Sequence, residues 1–442
     1  MAHANVATTG TTIKRVSRTS ESSAARQATV EPEMAHAPAE RTGFLQRPST
    51  GLMGALIAVR VVILAVIVLR AASIGAVDAD VGRAFRIATS PAVPYRNFPV
   101  EFMPIQTAVD RVLAGATSGG AVARIAILAF VADLAAAAAM AWGWGRRVAA
   151  TYLLVGLPLL GFIYLRFDLV SVALAAWSLA LLRKDREELG GAALGLAVMS
   201  KLWPVALIPI FWFRRARRGL LVGALVCLVI GAWWYLTGGV KGPFQVLSLR
   251  DTRGWHVESI VGSLLWIVHR GDAYREADAL RIGDVTTWAR AMLAIGVLAV
   301  EAIVWRRAAR DRRDPMGAAT LAAVAALAVF APILSLQAAA WLLPFAALAL
   351  DGDHDERHTA GVAAVAIALT GVVAIGWRDH AVAPAGWVPW VVLLRNLVWI
   401  DIVVSWLRVP VLARPAPAPV PQRRASDTAP DGLDAVLPFD AE

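Results

Sequence analysis

The sequence has little of what builds a disulfide-bonded, nucleotide-driven or water-solvated protein. Its one cysteine, Cys227, sits inside an apolar run, so an intrachain disulfide is excluded and a free thiol in packed surroundings is expected. No Walker loop, HExxH, CxxC pair or phosphate-cradling GxGxxG occurs in a suitable context, which argues against an ATP-driven pump and a zinc enzyme. Charged residues make up only 17% of the 442 positions. Residues 1–47 contain no apolar core of the kind a cleavable signal peptide needs, so the first membrane helix is expected to be internal.

What is present is apolar. Hydrophobic residues reach 58% and the mean hydropathy is +0.60, too high for a chain solvated by water. The runs Gly51–Val77, Leu220–Leu236, Met292–Trp305, Ala360–Gly376 and Trp387–Leu407 approach or reach the roughly 20 residues that span a hydrocarbon core. The net charge of +10 does not point to nucleic acid, because the arginines gather in short runs beside these apolar segments, where the cytoplasmic loops of membrane proteins carry them. The expectation is an all-α polytopic protein of the cell membrane, with a polar tail over 1–47, a transmembrane domain over 48–408 and a Pro/Ala-rich tail over 409–442, both tails flexible and cytoplasmic.

With the basic runs inside, the chain threads through about twelve crossings. The segment from Asp78 to Gly119 becomes a long polar outer loop. Between the inside runs at 183–188 and 214–218 there is too little chain for two full spans, so a hairpin of short helices, Leu189–Ser200 and Pro204–Phe213, is expected with Lys201 at its tip. Residues 237–286 stay mostly outside, and Ser259–Val268, too short to span, lies in the outer leaflet.

This threading collects the informative polar residues on one side. They are Asp78, Asp80, Arg83, Arg86, Tyr95 and Glu101 in the first outer loop, then Arg166 and Asp168, then Lys201, Arg253, His256 and Glu258. A charge near the bilayer centre costs at least ~2.5 kcal/mol, so Asp168 and Lys201 should face a hydrated cavity. Asp80 follows the first helix between apolar neighbours, and partial desolvation would make it a stronger proton acceptor, with Asp78 its nearest rival. Lys201, Arg253 and His256 are candidate phosphate partners. The seventeen tryptophans suit interfacial belts, and Trp341 is singled out as a sugar platform. The spacing of the acidic residues matches no dedicated metal site, which leaves a divalent ion open without indicating one.

Four segments in order resemble glycosyltransferase family 87, the polyprenyl-phosphate-mannose-dependent enzymes of the C-type membrane glycosyltransferases. They are DVGRAFRIATSPAVPYRNFPVEFMP at 80–104, RFDLVSVAL at 166–174, GLAVMSKLWPVALIP at 195–209, and the paired echoes RGWHVES at 253–259 and SLQAAAWLLPFAAL at 335–348. Two departures stand out: Phe102-Met103-Pro104 replaces a Tyr-Pro-Pro, and Ser335-Leu336-Gln337-Ala338 replaces a Ser-Pro-Gln-Tyr.

The resemblance implies inverting transfer of a hexose, mannose first, from a polyprenyl-phosphate sugar to a lipid or glycan acceptor at the outer face, without a cofactor. In that scheme Asp80 is the base, Lys201 with Arg253 or Arg166 offsets charge on the leaving phosphate, and Tyr95, Glu101, Asp168, Glu258 and Trp341 line the cavity. Two alternatives stay open on the residues alone. One is a secondary transporter or lipid-linked-sugar flippase, and the other is an inactive homologue that keeps the fold.

Overall fold

The computed structural model describes residues 48–412 except 75–78, 114, 116, 248–251, 270–271, 277–278 and 379–385. Asp78 and the two expected tails, up to 47 and beyond 412, lie outside the described residues.

Ser49 starts the first helix by accepting a hydrogen bond from Leu52 N–H at 3.1 Å, and α1 (Thr50–Leu69) then runs on apolar side chains. After α2 (Ala71–Ile74) comes the segment expected as a polar loop. The structure instead forms two amphipathic helices there, α3 (Ala79–Thr89) and α4 (Pro104–Leu113). Val81, Ala84 and Ile87 of α3 are buried at helical spacing, a period that the polarity of the segment as a whole masked.

Thr117 caps α5 (Ser118–Trp144), and Gly145, at φ 101°, turns the chain into α6 (Arg146–Val155) and α7 (Leu160–Ile163). Then follow α8 (Asp168–Arg183), α9 (Glu187–Ser200), a 3-10 turn Trp203–Leu207 leading into α10 (Ile208–Phe213), and α11 (Arg217–Gly238). The α9–α10 hairpin is where the sequence placed it. Helices α9 and α11 meet through glycines: a Cβ on Gly191 would lie 1.8 Å from the Gly219 carbonyl oxygen, so only bare backbone permits this approach.

The next segment departs from the all-α expectation. Past α12 (Lys241–Leu247), the strands β1 (Trp255–His256), β2 (Tyr274–Glu276) and β3 (Ala279–Ile282) form an antiparallel sheet in the order β1-β3-β2. Strands this short leave almost no period-2 signal. The short apolar helix expected here is α13 (Ile260–Val268), which packs on the final helix. The chain closes with α14 (Thr287–Ala308), α15 (Ala318–Val329), α16 (Ala339–Leu350), α17 (His354–Arg378) and α18 (Val388–Arg408).

Among the described residues, seven helices are long and apolar enough to cross a membrane: α1, α5, α6 with α7, α11, α14, α17 and α18. Other segments expected to cross, α8 and α9 among them, are helices of fewer than 18 residues. Nearly every residue of α15 and α16 is buried, so these short helices are solvated by protein rather than lipid.

Two polar ends frame the bundle. At one, Arg147 pairs with Asp351, Arg183 and Arg214 each lie 3.3 Å from Asp314, and Arg313 reaches Asp311, Asp353 and Asp355 at 3.1, 2.6 and 3.1 Å. The basic runs of four separate loops are thereby tied together. Inside the bundle, Arg60 Nε of α1 meets Asp133 Oδ2 of α5 at 2.8 Å, and the Tyr152 and Tyr164 hydroxyls donate to the same carboxylate at 2.8 Å. At the opposite end lies the cluster described next.

Candidate active site

Lys201 owes its position to a helix break. Pro204 cannot continue α9, and Lys201 takes up extended backbone at φ −152°, ψ 144° directly after Ser200. Its Nζ lies 3.3 Å from Asp168 Oδ2, and Asp168 itself is buried in the first turn of α8, where the helix dipole favours a carboxylate. Trp341 Nε1–H donates to Asp168 Oδ1 at 2.8 Å. The Trp341 ring stacks on Trp203, with centroids 5.7 Å apart and planes 13° from parallel. Trp341, expected as a sugar platform, is therefore engaged by Trp203 on one face and tied through its N–H to Asp168.

Asp80 stands in the first turn of α3 and pairs with Arg166 at 3.0 Å from Nε to Oδ2. Arg166 is two residues before Asp168, so the two ion pairs are neighbours along the chain. The first-loop carboxylate, the Arg166–Asp168 pair and the hairpin lysine thus converge.

Beside them, Arg83 pairs with Glu101, donates to the Pro99 carbonyl at 3.3 Å and lies over the Phe102 ring. Tyr95 adopts φ 69°, left-handed backbone unusual for a non-glycine residue. It is held there by its hydroxyl, which donates to the Phe102 carbonyl at 2.7 Å and sits 2.7 Å from Thr107 Oγ1. Gln245 of α12 clamps the same turn, donating to the Tyr95 carbonyl and accepting from Val100 N–H. Burial pushes the Tyr95 phenol above its usual range, so it is a neutral hydrogen-bonding group.

The segment after β1 completes the surround. Glu258 is buried, its carbonyl accepting from Arg395 at 2.7 Å and Asn396 at 3.1 Å, and its carboxylate 3.5 Å from Arg395. Burial raises the Glu258 carboxyl to about 7 against the downward pull of Arg395 and Arg166, with Asp80 pushing it up. Arg166 and Asp80 are therefore within its electrostatic reach.

Two predicted phosphate partners lie in or beside the small sheet. His256 is buried in the sheet, and burial, followed by Arg281 and Arg395, depresses its imidazole to about 3. A neutral ring brings no charge to a phosphate. Arg253 is exposed just before β1, its backbone N–H bonded to Glu276, and it lines an open cleft with Tyr274, Arg275 and Asp284. Among the described residues, no group of three or more His, Cys, Asp or Glu side chains converges to hold a metal ion.

Several residues near this cluster were missed in the sequence. Asp110 of α4 is buried and feels both Lys201 and Asp80; it lies in the segment taken for a loop. Arg395 and Asn396 sit inside an apolar span, and ionisable residues in such spans are functional candidates by default, so that signal was there to be read.

The sequence model of glycosyltransferase family 87 matches residues 98–335, more than half of the chain. That range takes in Glu101, Asp110, Arg166, Asp168, Lys201 and Glu258, while Asp80 lies upstream of it and Arg395 beyond it. No curated protein matches the chain.

Proposed function

The chain belongs to glycosyltransferase family 87, and on that premise we propose that it transfers a hexose, mannose first, with inversion from a polyprenyl-phosphate donor to a lipid or glycan acceptor. The observation that carries this reading is the convergence of Asp80–Arg166 and Lys201–Asp168 at the end of the bundle opposite the arginine-rich loops. Basic loops stay in the cytoplasm, so the cluster faces the outer compartment and both termini lie inside, in about twelve passes counting the short helices.

In this reading Asp80, oriented by Arg166, accepts the proton of the acceptor hydroxyl. The acceptor oxygen attacks the anomeric carbon, the bond from that carbon to the phosphate oxygen breaks, and the electron pair leaves with polyprenyl phosphate. Lys201 at the hairpin tip offsets the charge growing on that phosphate. It is held by Asp168, which Trp341 fixes in turn, before substrate arrives, so little reorganisation is needed at the moment of reaction. Glu258, paired with Arg395 at 3.5 Å, lies within electrostatic reach of Arg166.

The test is transfer by purified protein in detergent with labelled polyprenyl-phosphate-mannose and a membrane-lipid extract. Asp80-dependent product formation supports the reading; donor turnover undiminished in Asp80→Asn overturns the base assignment, and transport of the intact lipid without transfer overturns the reaction class.

A further inference from the structure

Two buried oxygens on α4 lack partners. Asp110 is 3% exposed and Gln106 is 6% exposed, and neither Asp110 Oδ2 nor Gln106 Oε1 has a hydrogen-bond partner. The two residues are four apart, so their side chains emerge one helical turn apart on the same face. That face is the buried one, which α4 turns toward α3 and α9, the helices that carry Asp80 and end at Lys201. Asp110 lies within electrostatic reach of both: Lys201 draws its carboxyl down and Asp80 pushes it up, while burial sets it near 7.

Gln106 Oε1 is an acceptor, while Asp110 Oδ2 accepts when its carboxyl is ionised and can donate when it is protonated; leaving either unmade is costly, so what completes them must offer a donor to Gln106 and suit both states of Asp110, as a hydroxyl does. A polyprenyl-phosphate sugar has three parts. Its isoprenoid chain carries no donor, and its phosphate presents acceptor oxygens and negative charge, which the Gln106 amide oxygen and an ionised Asp110 reject. Only the sugar hydroxyls match. An in-line displacement also places the sugar ring between the base and the cation facing the leaving phosphate, and Asp110 answers electrostatically to both of those groups.

Building on the proposed donor chemistry, we propose that Asp110 and Gln106 form a sugar-binding subsite on α4 that accepts hydrogen bonds from hydroxyls of the hexose being transferred. A hexose on the acceptor could offer the same hydroxyls, and the experiment separates the two sources.

Purified wild type, Asp110→Asn and Gln106→Leu are titrated with short-chain polyprenyl-phosphate-mannose and, separately, with the sugar-free polyprenyl phosphate. Acceptor KM is measured in parallel by transfer. Each substitution is expected to weaken the sugar-bearing lipid about tenfold, the scale of one hydrogen bond to a charged or buried partner. The sugar-free lipid should bind all three proteins alike, which also shows that the variants are folded. Equal weakening of both lipids, or of neither, overturns the subsite. A rise in acceptor KM with donor binding unchanged moves the hydroxyls to the acceptor and overturns the assignment to the transferred sugar. Failure of wild type to bind either lipid refutes the donor class itself, an outcome distinct from the others.

Discussion

Lys201 Nζ lies 3.3 Å from Asp168 Oδ2, while the other Asp168 oxygen is held by the Trp341 indole N–H at 2.8 Å. The Lys201 cation, which we propose faces the donor, is thus fixed through a carboxylate that an aromatic from a distant helix keeps in place. Trp341→Phe retains the stacking on Trp203 but loses the N–H. It should raise donor KM about tenfold, the scale of a hydrogen bond to a charged group, with a smaller effect on acceptor KM. Lys201→Ala should do the same more severely; steady-state kinetics against each substrate checks both.

Asp80 pairs with Arg166 at 3.0 Å. If Asp80 is the base, Asp80→Asn lowers kcat by about 10²- to 10⁴-fold with donor binding kept. Single-turnover transfer alongside donor titration distinguishes this from a binding defect.

Glu258 is raised from its usual 4.5 to about 7 by burial, and Asp110 from 3.8 to about 7 by the same cause. The folded state holds these protons where the unfolded chain has released them. Their contribution to stability is therefore fully present below about pH 4 and is lost as pH rises toward and through 7. The Tm of the purified protein in detergent should fall across that window, and the Glu258→Gln, Asp110→Asn double variant should show a flatter profile.

Gly191 faces the Gly219 carbonyl so closely that an alanine Cβ would sit at 1.8 Å. Gly191→Leu must push α9 off α11, at a cost of about 1–3 kcal/mol or more. Because α9 ends at Lys201, a lowered Tm should be accompanied by loss of transfer. Gly231, where an added Cβ meets nothing within 4 Å, is the control, and Gly231→Ala should be silent.

Arg60 and Asp133 are buried together, joined by the hydroxyls of Tyr152 and Tyr164. Arg60→Met strands a buried carboxylate and should cost about 3–5 kcal/mol, whereas the Arg60→Met, Asp133→Leu double variant should recover much of that loss. Thermal unfolding of the three proteins tests the coupling.

Parts of the site are legible in the residues themselves. Lys201 three positions before Pro204 announces a broken helix with a cation at the break, and the backbone does break there. Arg166 and Asp168 stand out as charges beside long apolar runs. The burial of His256 was not legible, because a histidine in such a stretch carries no sign of whether its ring is solvated; strand pairing buried it. Asp110 went unseen because α4 sits in a segment too polar to look like a packed helix.

The sequence by itself determined that this chain lives in a membrane, that its arginine-rich loops lie together at one end, where its helix breaks fall, and which family it resembles. Helix periodicity, proline stereochemistry and the transfer of side chains from water to lipid are local properties, and each is written in consecutive residues. Only the tertiary structure decided that Arg166 meets Asp80, that Trp341 holds Asp168, that Arg60 finds Asp133, and that α4 turns Gln106 and Asp110 toward the same cluster. Ion pairs and hydrogen bonds require atoms within about 3 Å of one another, and for residues far apart in the chain that distance is set by how the helices pack.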